Sequence, residues 1–189
     1  MIRNYYYTVC SLPQLLFEPS SSPLSWSEFL RLCGIEVPAR RMEVLHSLGL
    51  LPSEQLRGRH PVLDSWVSWE GGLRNALSRI RARRSELPED EFSRAAYPMN
   101  FPTEEAEAVM NASTPLEAEM HLERVRWDRL DALDLAEDFS LGRLIVYGLK
   151  LRLLERRGRF DRKTGESVLG EATDISPGSA ATGVGGRSS

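Results

Sequence analysis

Cysteine and histidine are scarce in this chain of 189 residues, and the scarcity narrows its chemistry. Cys10 and Cys33 lie far apart and are each flanked by apolar residues. That predicts two buried, reduced thiols in a cytosolic protein rather than a disulfide framework. Three histidines, His46, His60 and His121, cannot build a standard zinc site without a thiol, and no close-spaced ligand pair is present. Glu117 and His121 stand four apart on one helix face, but a di-iron bundle needs repeated Glu-x-x-His elements, so a surface pair is expected. No apolar run approaches the roughly eighteen residues of a membrane span, and the basic region and long hydrophobic core of a signal peptide are missing. Glycine-rich phosphate loops, nucleophile elbows and paired carboxylates beside a base are also missing, so no catalytic, cofactor or metal residues are assigned.

What is present is apolar pattern and sorted charge. At 41% hydrophobic and 27% charged, the chain can bury one substantial core. A net charge of -3 conceals a division: residues 86 to 138 carry fifteen Asp/Glu against four Arg, whereas 143 to 163 carry eight Lys/Arg against two acids. Such a bipolar distribution favours orientation of protein partners over attraction to nucleic acid or anionic lipid. The stretch from Asn4 to Phe17 spends Tyr5, Tyr6 and Tyr7 with five further apolar residues, which predicts an anchored segment.

Helix signals recur along the chain. Ser25-Trp26-Ser27-Glu28 has the spacing of a capping box, and Pro38 opens a second short helix carrying Met42, Leu45 and Leu48. From Val62 to about Ser85 the residues Leu63, Trp66, Trp69, Leu73, Ala76, Leu77 and Ile80 form one stripe, interrupted at Gly71-Gly72, where a bend or a close backbone approach is expected and a kinked long helix is favoured. A short helix is predicted within Glu89 to Ala96 and a proline-bounded connector from Tyr97 to Pro102. Thr103 is placed to cap an acidic helix, and Thr114-Pro115-Leu116-Glu117 to start a long one. Leu141 to Leu154 is apolar almost all round, which predicts a central helix ended by Gly158 and followed by a turn at Asp161 to Gly165, although Tyr147 to Leu153 also alternates as a strand would, and length and the helical context favour the helix. The fold expected is all-α: a single helical domain over 1–172, with short N-terminal helices and several longer packed ones, and a disordered tail over 173–189. Tyr5, Tyr6, Trp66, Leu73, Leu77, Trp127, Leu144 and Leu151 are expected in one core.

Two charged runs are conspicuous. Asp128, Asp131 and Asp134, with Glu137 and Asp138, drift round a helix and are partly neutralised by Arg124, Arg126 and Arg129. A solvated face or docking edge is favoured there over an ion site. Arg79, Arg81, Arg83 and Arg84 lack the interleaved aromatics of a nucleic-acid patch and suit the negative pole of a helix end.

Asn4 to Phe17, Leu73-Arg74-Asn75-Ala76-Leu77 and Tyr147-Gly148-Leu149-Lys150-Leu151 together resemble an uncharacterised bacterial family encoded beside V-type ATPase subunits, over Asn4 to about Val168. The resemblance implies a reduced counterpart of the helical C subunit, which seats the central stalk on the rotor ring. It thus implies a non-catalytic structural, coupling or assembly component without cofactors. Such a component is cytoplasmic, peripheral to the membrane through the ATPase complex, and binds subunits of the central stalk or rotor ring. On that basis Arg74, Asn75, Arg79, Arg81, Arg83, Arg84, Tyr147 and Lys150 are the candidate partner-binding residues. The competing class is a helical enzyme of unknown substrate.

Overall fold

The computed structural model describes residues 4–18, 22–50, 54–89, 94, 97, 103–134 and 139–174, with side chains through 159. Among them the chain is all-α and contains no strand: α1 (Tyr6–Ser11), α2 (Trp26–Cys33), α3 (Ala39–His46), a 3-10 turn at Glu54–Leu56, α4 (Pro61–Arg84), α5 (Thr103–Met110), α6 (Pro115–Leu133) and α7 (Leu141–Asp174). Of the predicted helix of 89–96 only Glu89 and Arg94 are described, and of the connector from Tyr97 to Pro102 only Tyr97; the rest of both, and the tail from 175 onward, lie outside the described residues.

Local chemistry accounts for where these helices start. Glu28 N–H donates to Ser25 Oγ at 3.3 Å, and Ser25 N–H to the Glu28 carboxylate at 3.1 Å, so α2 begins with a complete capping box. Pro61 occupies the first position of α4, where its missing N–H costs nothing, while His60 Nδ1 accepts from Val62 N–H at 3.2 Å. At α6, Thr114 Oγ1 accepts from Glu117 N–H (3.1 Å), and the Glu117 carboxylate reaches back to Ser113 N–H (2.9 Å). Ser140 Oγ accepts from Arg143 N–H at 3.4 Å as α7 starts.

Helix α7 is central, as its apolar surround predicts: Leu144, Ile145, Leu149 and Leu151 are completely buried. It does not stop at Gly158 or turn at Asp161 to Gly165, but continues to Asp174, past the expected domain boundary at 172. Gly158, Gly165 and Gly170 each cost about 1 kcal/mol in a helix, but glycine does not remove a helix hydrogen bond as proline does, and no proline occurs between Pro115 and Pro177 to stop the helix.

The expected single core divides into three clusters. Tyr5, Phe29, Leu45, Leu63, Trp66, Leu144 and Leu151 belong to the largest, built where α2, α3 and the first half of α4 meet α7. Leu73, Leu77 and Ile80, on the second half of α4, pack instead with Ala106 and Val109 of α5 and Leu122 of α6. Trp127 joins Leu153 and Leu154 against Phe17. Two expectations about burial fail. Tyr6 and Tyr7 are 52% and 76% exposed, because successive residues of a helix point about 100° apart and only Tyr5 and Thr8, three apart, share the inward face. By the same geometry Cys10 is exposed, while Cys33 is buried.

Close packing explains two glycines. A Cβ at Gly148 would lie 2.8 Å from Leu48 Cδ1 and 3.2 Å from the Phe29 ring. At Gly71 it would fall 2.1 Å from Cδ1 of Tyr97, so in place of the favoured kink the Gly71-Gly72 interruption marks an aromatic ring laid against a helix that runs unbroken from Pro61 to Arg84. Gly71→Ala would gain about 1 kcal/mol of helix propensity on an open helix surface. Here it is expected to destabilise the protein in a chemical denaturation series, and to become neutral or stabilising in a Tyr97→Ala background.

The thiols differ in reactivity. Burial pushes Cys33 up to about 12 from an ordinary 9.0, and burial also lifts the Tyr147 phenol to about 12. Both groups keep their protons in the native state where the unfolded chain loses them, so stability should fall as pH rises from about 9 to about 12. In native protein at pH 8 a thiol reagent should modify Cys10 alone, with Cys33 reacting only after unfolding; equal labelling rates would contradict this placement.

Candidate functional site

The apolar stripe of α4 is broken by a charge. Glu70 is completely buried between Val67, in the first cluster, and Leu73, in the second. Opposite it on α6 stands Arg126, its side chain 3% exposed, with Leu122 of the second cluster one turn before and Leu130 of the first one turn after. The guanidinium donates through Nε to Glu70 Oε2 at 3.0 Å and through Nη2 to Oε1 at 2.8 Å, a two-pronged pair. Arg74, one turn along α4, adds an Nε bond to Oε1 at 2.9 Å. Arg126 Nη1 has no hydrogen-bond partner.

Beside this pair lies a cleft of about 340 Å³ lined by five arginines: Arg74, Arg81, Arg94, Arg126 and Arg156. Asn75 shapes one wall. Its Nδ2 donates to Arg94 O at 3.0 Å while Arg94 N–H donates to its Oδ1 at 2.9 Å, tying the segment that carries Arg94 and Tyr97 to α4. Arg156, from α7, pairs with Glu119; burial chiefly, and positive Arg74 in addition, hold it below the usual arginine value against the pull of Glu70. Among the described residues no carboxylate lines this cleft.

A second groove, of about 400 Å³, holds both signs of charge. Lys150 reaches Asp131 Oδ1 at 2.5 Å and Asp134 Oδ2 at 3.7 Å, and Arg143 meets Asp134 Oδ2 at 2.9 Å. Burial is the main influence on the Asp134 carboxyl and raises it, against the lowering effect of Lys150 and Arg143. Tyr147 turns inward, its hydroxyl donating to Pro13 O at 2.9 Å and its ring stacked on Phe29.

The eight sequence-chosen residues therefore fall into three places. Arg74, Asn75 and Arg81 line the arginine cleft, and Tyr147 and Lys150 line the mixed groove. Arg79 and Arg83 pair with Glu89, and Arg84 donates to Met110 O and Asn111 Oδ1 at 2.6 Å each, which ties the end of α4 to α5. The aspartate run is divided too: Asp131 and Asp134 are engaged by Lys150, and Asp128 is exposed. Two of its three expected neutralisers are engaged elsewhere, since Arg124 lies over the Phe17 ring at 3.9 Å and Arg126 turns to Glu70. Glu117 and His121 are both exposed. Among the described residues no group of three His, Cys, Asp or Glu is placed to hold a metal, and no helix is long and apolar enough to cross a membrane.

Glu70, Arg126 and Arg156 were not anticipated from sequence. Their signal is a charge at a stripe position: Glu70 follows Trp66 by four and precedes Leu73 by three, and Arg126 lies four from both Leu122 and Leu130. Comparison of the chain with protein-family models, curated proteins and solved structures finds no match.

Removing one partner of a buried ion pair costs about 3 to 5 kcal/mol, because the other charge is left uncompensated. Glu70→Leu should fall in that range by urea unfolding. Arg126→Met should cost less, since Arg74 still neutralises Glu70. The double variant should cost less than the two losses added, and strict additivity would show that the pair is not coupled.

Proposed function

We propose that the protein is a non-catalytic structural, coupling or assembly component that binds V-type ATPase subunits at the central stalk or rotor ring, on the cytoplasmic side. The observation that carries the binding role is an aromatic edge. Tyr6 and Tyr7 project from α1 half or more exposed, stacked edge-on at 5.7 Å, with Phe139 against Tyr6 at 4.8 Å. Large aromatics held outward on a rigid base are the residues that dominate protein interfaces. That base is rigid here, since Tyr5 is buried and its N–H donates to Phe139 O at 2.8 Å. The exposed arginines ending α4 add a positive field to steer an acidic partner. The resemblance carried by the Tyr5, Leu73 and Tyr147 motifs supplies the identity of that partner.

Affinity capture from native cells, read by mass spectrometry, tests this directly. Tagged protein should recover ATPase subunits, with less recovered as salt rises from about 0.1 M to about 1 M and the screening length falls from about 10 to about 3 Å. Tyr6→Ser/Tyr7→Ser should reduce recovery and leave helical content unchanged, because neither ring is in the core. Capture that never includes an ATPase subunit at low salt, or substrate turnover by the purified chain, would favour the competing helical enzyme.

A further inference from the structure

Among the described residues the arginine cleft has more positive charge than its carboxylate partners answer. Glu70 answers Arg74 and Arg126, and Glu119 answers Arg156, while Arg81 and Arg94 stand exposed along the same wall. One nitrogen of the lining arginines is left over at depth: Arg126 lines the cleft with a side chain 3% exposed, and its buried Nη1 has no acceptor among the described residues. Buried donors are almost always paired, and an orphan on a residue that lines a cleft points to an acceptor that arrives from outside the chain.

We propose that this cleft binds a small molecule bearing a diphosphate or longer phosphate chain. The planar guanidinium fork matches the oxygen geometry of phosphate and carboxylate alike, so the choice between them rests on charge and number. A single carboxylate brings one negative charge and two acceptor oxygens. Two linked phosphates present several acceptors and several negative charges, enough to meet Arg126 Nη1 and to span to Arg81 and Arg94. The volume, about 340 Å³, is within the range of small-ligand sites, and the Tyr97 ring against Gly71 supplies one flat wall for the remainder of the ligand. Binding here is independent of partner capture through the aromatic edge, so either can fail without the other.

Isothermal titration of the full chain with pyrophosphate, inorganic phosphate and citrate, at constant ionic strength set with chloride, tests the proposal. Pyrophosphate should bind saturably, one per chain, about tenfold or more tighter than phosphate or citrate. Arg126 variants risk unfolding, so the decisive ones are Arg81→Gln and Arg94→Gln. Both residues are exposed, and their substitution should weaken pyrophosphate about tenfold or more with an unchanged melting temperature, whereas Arg83→Gln, outside the cleft, should bind as wild type. Absence of saturable pyrophosphate binding, citrate binding as tightly, or indifference to both cleft variants would each overturn it.

Discussion

The buried pair of Glu70 and Arg126 is the constraint on which the rest of the arrangement turns. Withdrawing two charges from water costs several kcal/mol per ion, and the return depends on good geometry and on satisfying the remaining polar atoms. Glu70 meets those conditions, accepting two bonds from Arg126 and one from Arg74. An apolar side chain would pack at many positions along a facing helix. A two-pronged ion pair at 2.8 and 3.0 Å fits at one, so it sets the register of α6 on α4. That register divides the apolar clusters, because the pair stands where Val67 and Leu130 give way to Leu73 and Leu122.

Arginine then serves two purposes in one molecule. Arg83 and Arg84 bind down the end of α4, to Glu89 and to the carbonyl of Met110, while Arg124 and Arg157 lie over the Phe17 ring. In these roles the guanidinium plane covers apolar surface and satisfies backbone groups at the same time. Around the cleft the same side chain gathers with no carboxylate among the described lining residues. The acidic segment and the basic α7 are not opposed as two external fields alone, since Lys150 reaches into the acidic run and Arg156 reaches Glu119. Much of the charge sorted along the sequence is thus recombined across helix contacts, which reduces the field left for steering partners.

Helix starts and the helical class were legible because their causes are local. Ser25, Pro61 and Thr114 act on residues within one turn, and the three-and-four spacing of Leu63, Trp66 and Leu73 is a property of the helix itself. Less of the candidate site was legible: Arg74, Asn75 and Arg81 were named, but as partner contacts, and Glu70, Arg126 and Arg156 were missed. Their meeting joins α4, α6 and α7 across 56 and more positions of sequence, a distance over which spacing carries no information. The outward turn of Tyr6 and Tyr7 was misjudged for a related reason. Three consecutive tyrosines promise burial by composition, and the helix that starts at Tyr6 allows it to one of them.

The sequence by itself determined the helical class, where α2, α3, α4, α5, α6 and α7 begin, and that Leu144 and Leu151 belong inside, because propensity, capping and periodicity act over a few residues, whereas the helix at Tyr6–Ser11 and the extension of α7 beyond Gly158 came only with the structure. The tertiary structure alone decided that the apolar stripe of α4 serves two clusters, that a tyrosine ring needs Gly71, and that five arginines from separate segments line one cleft. Those outcomes depend on how helices cross, and crossing is settled by the packing of whole faces and by the single register at which a buried carboxylate and guanidinium can meet.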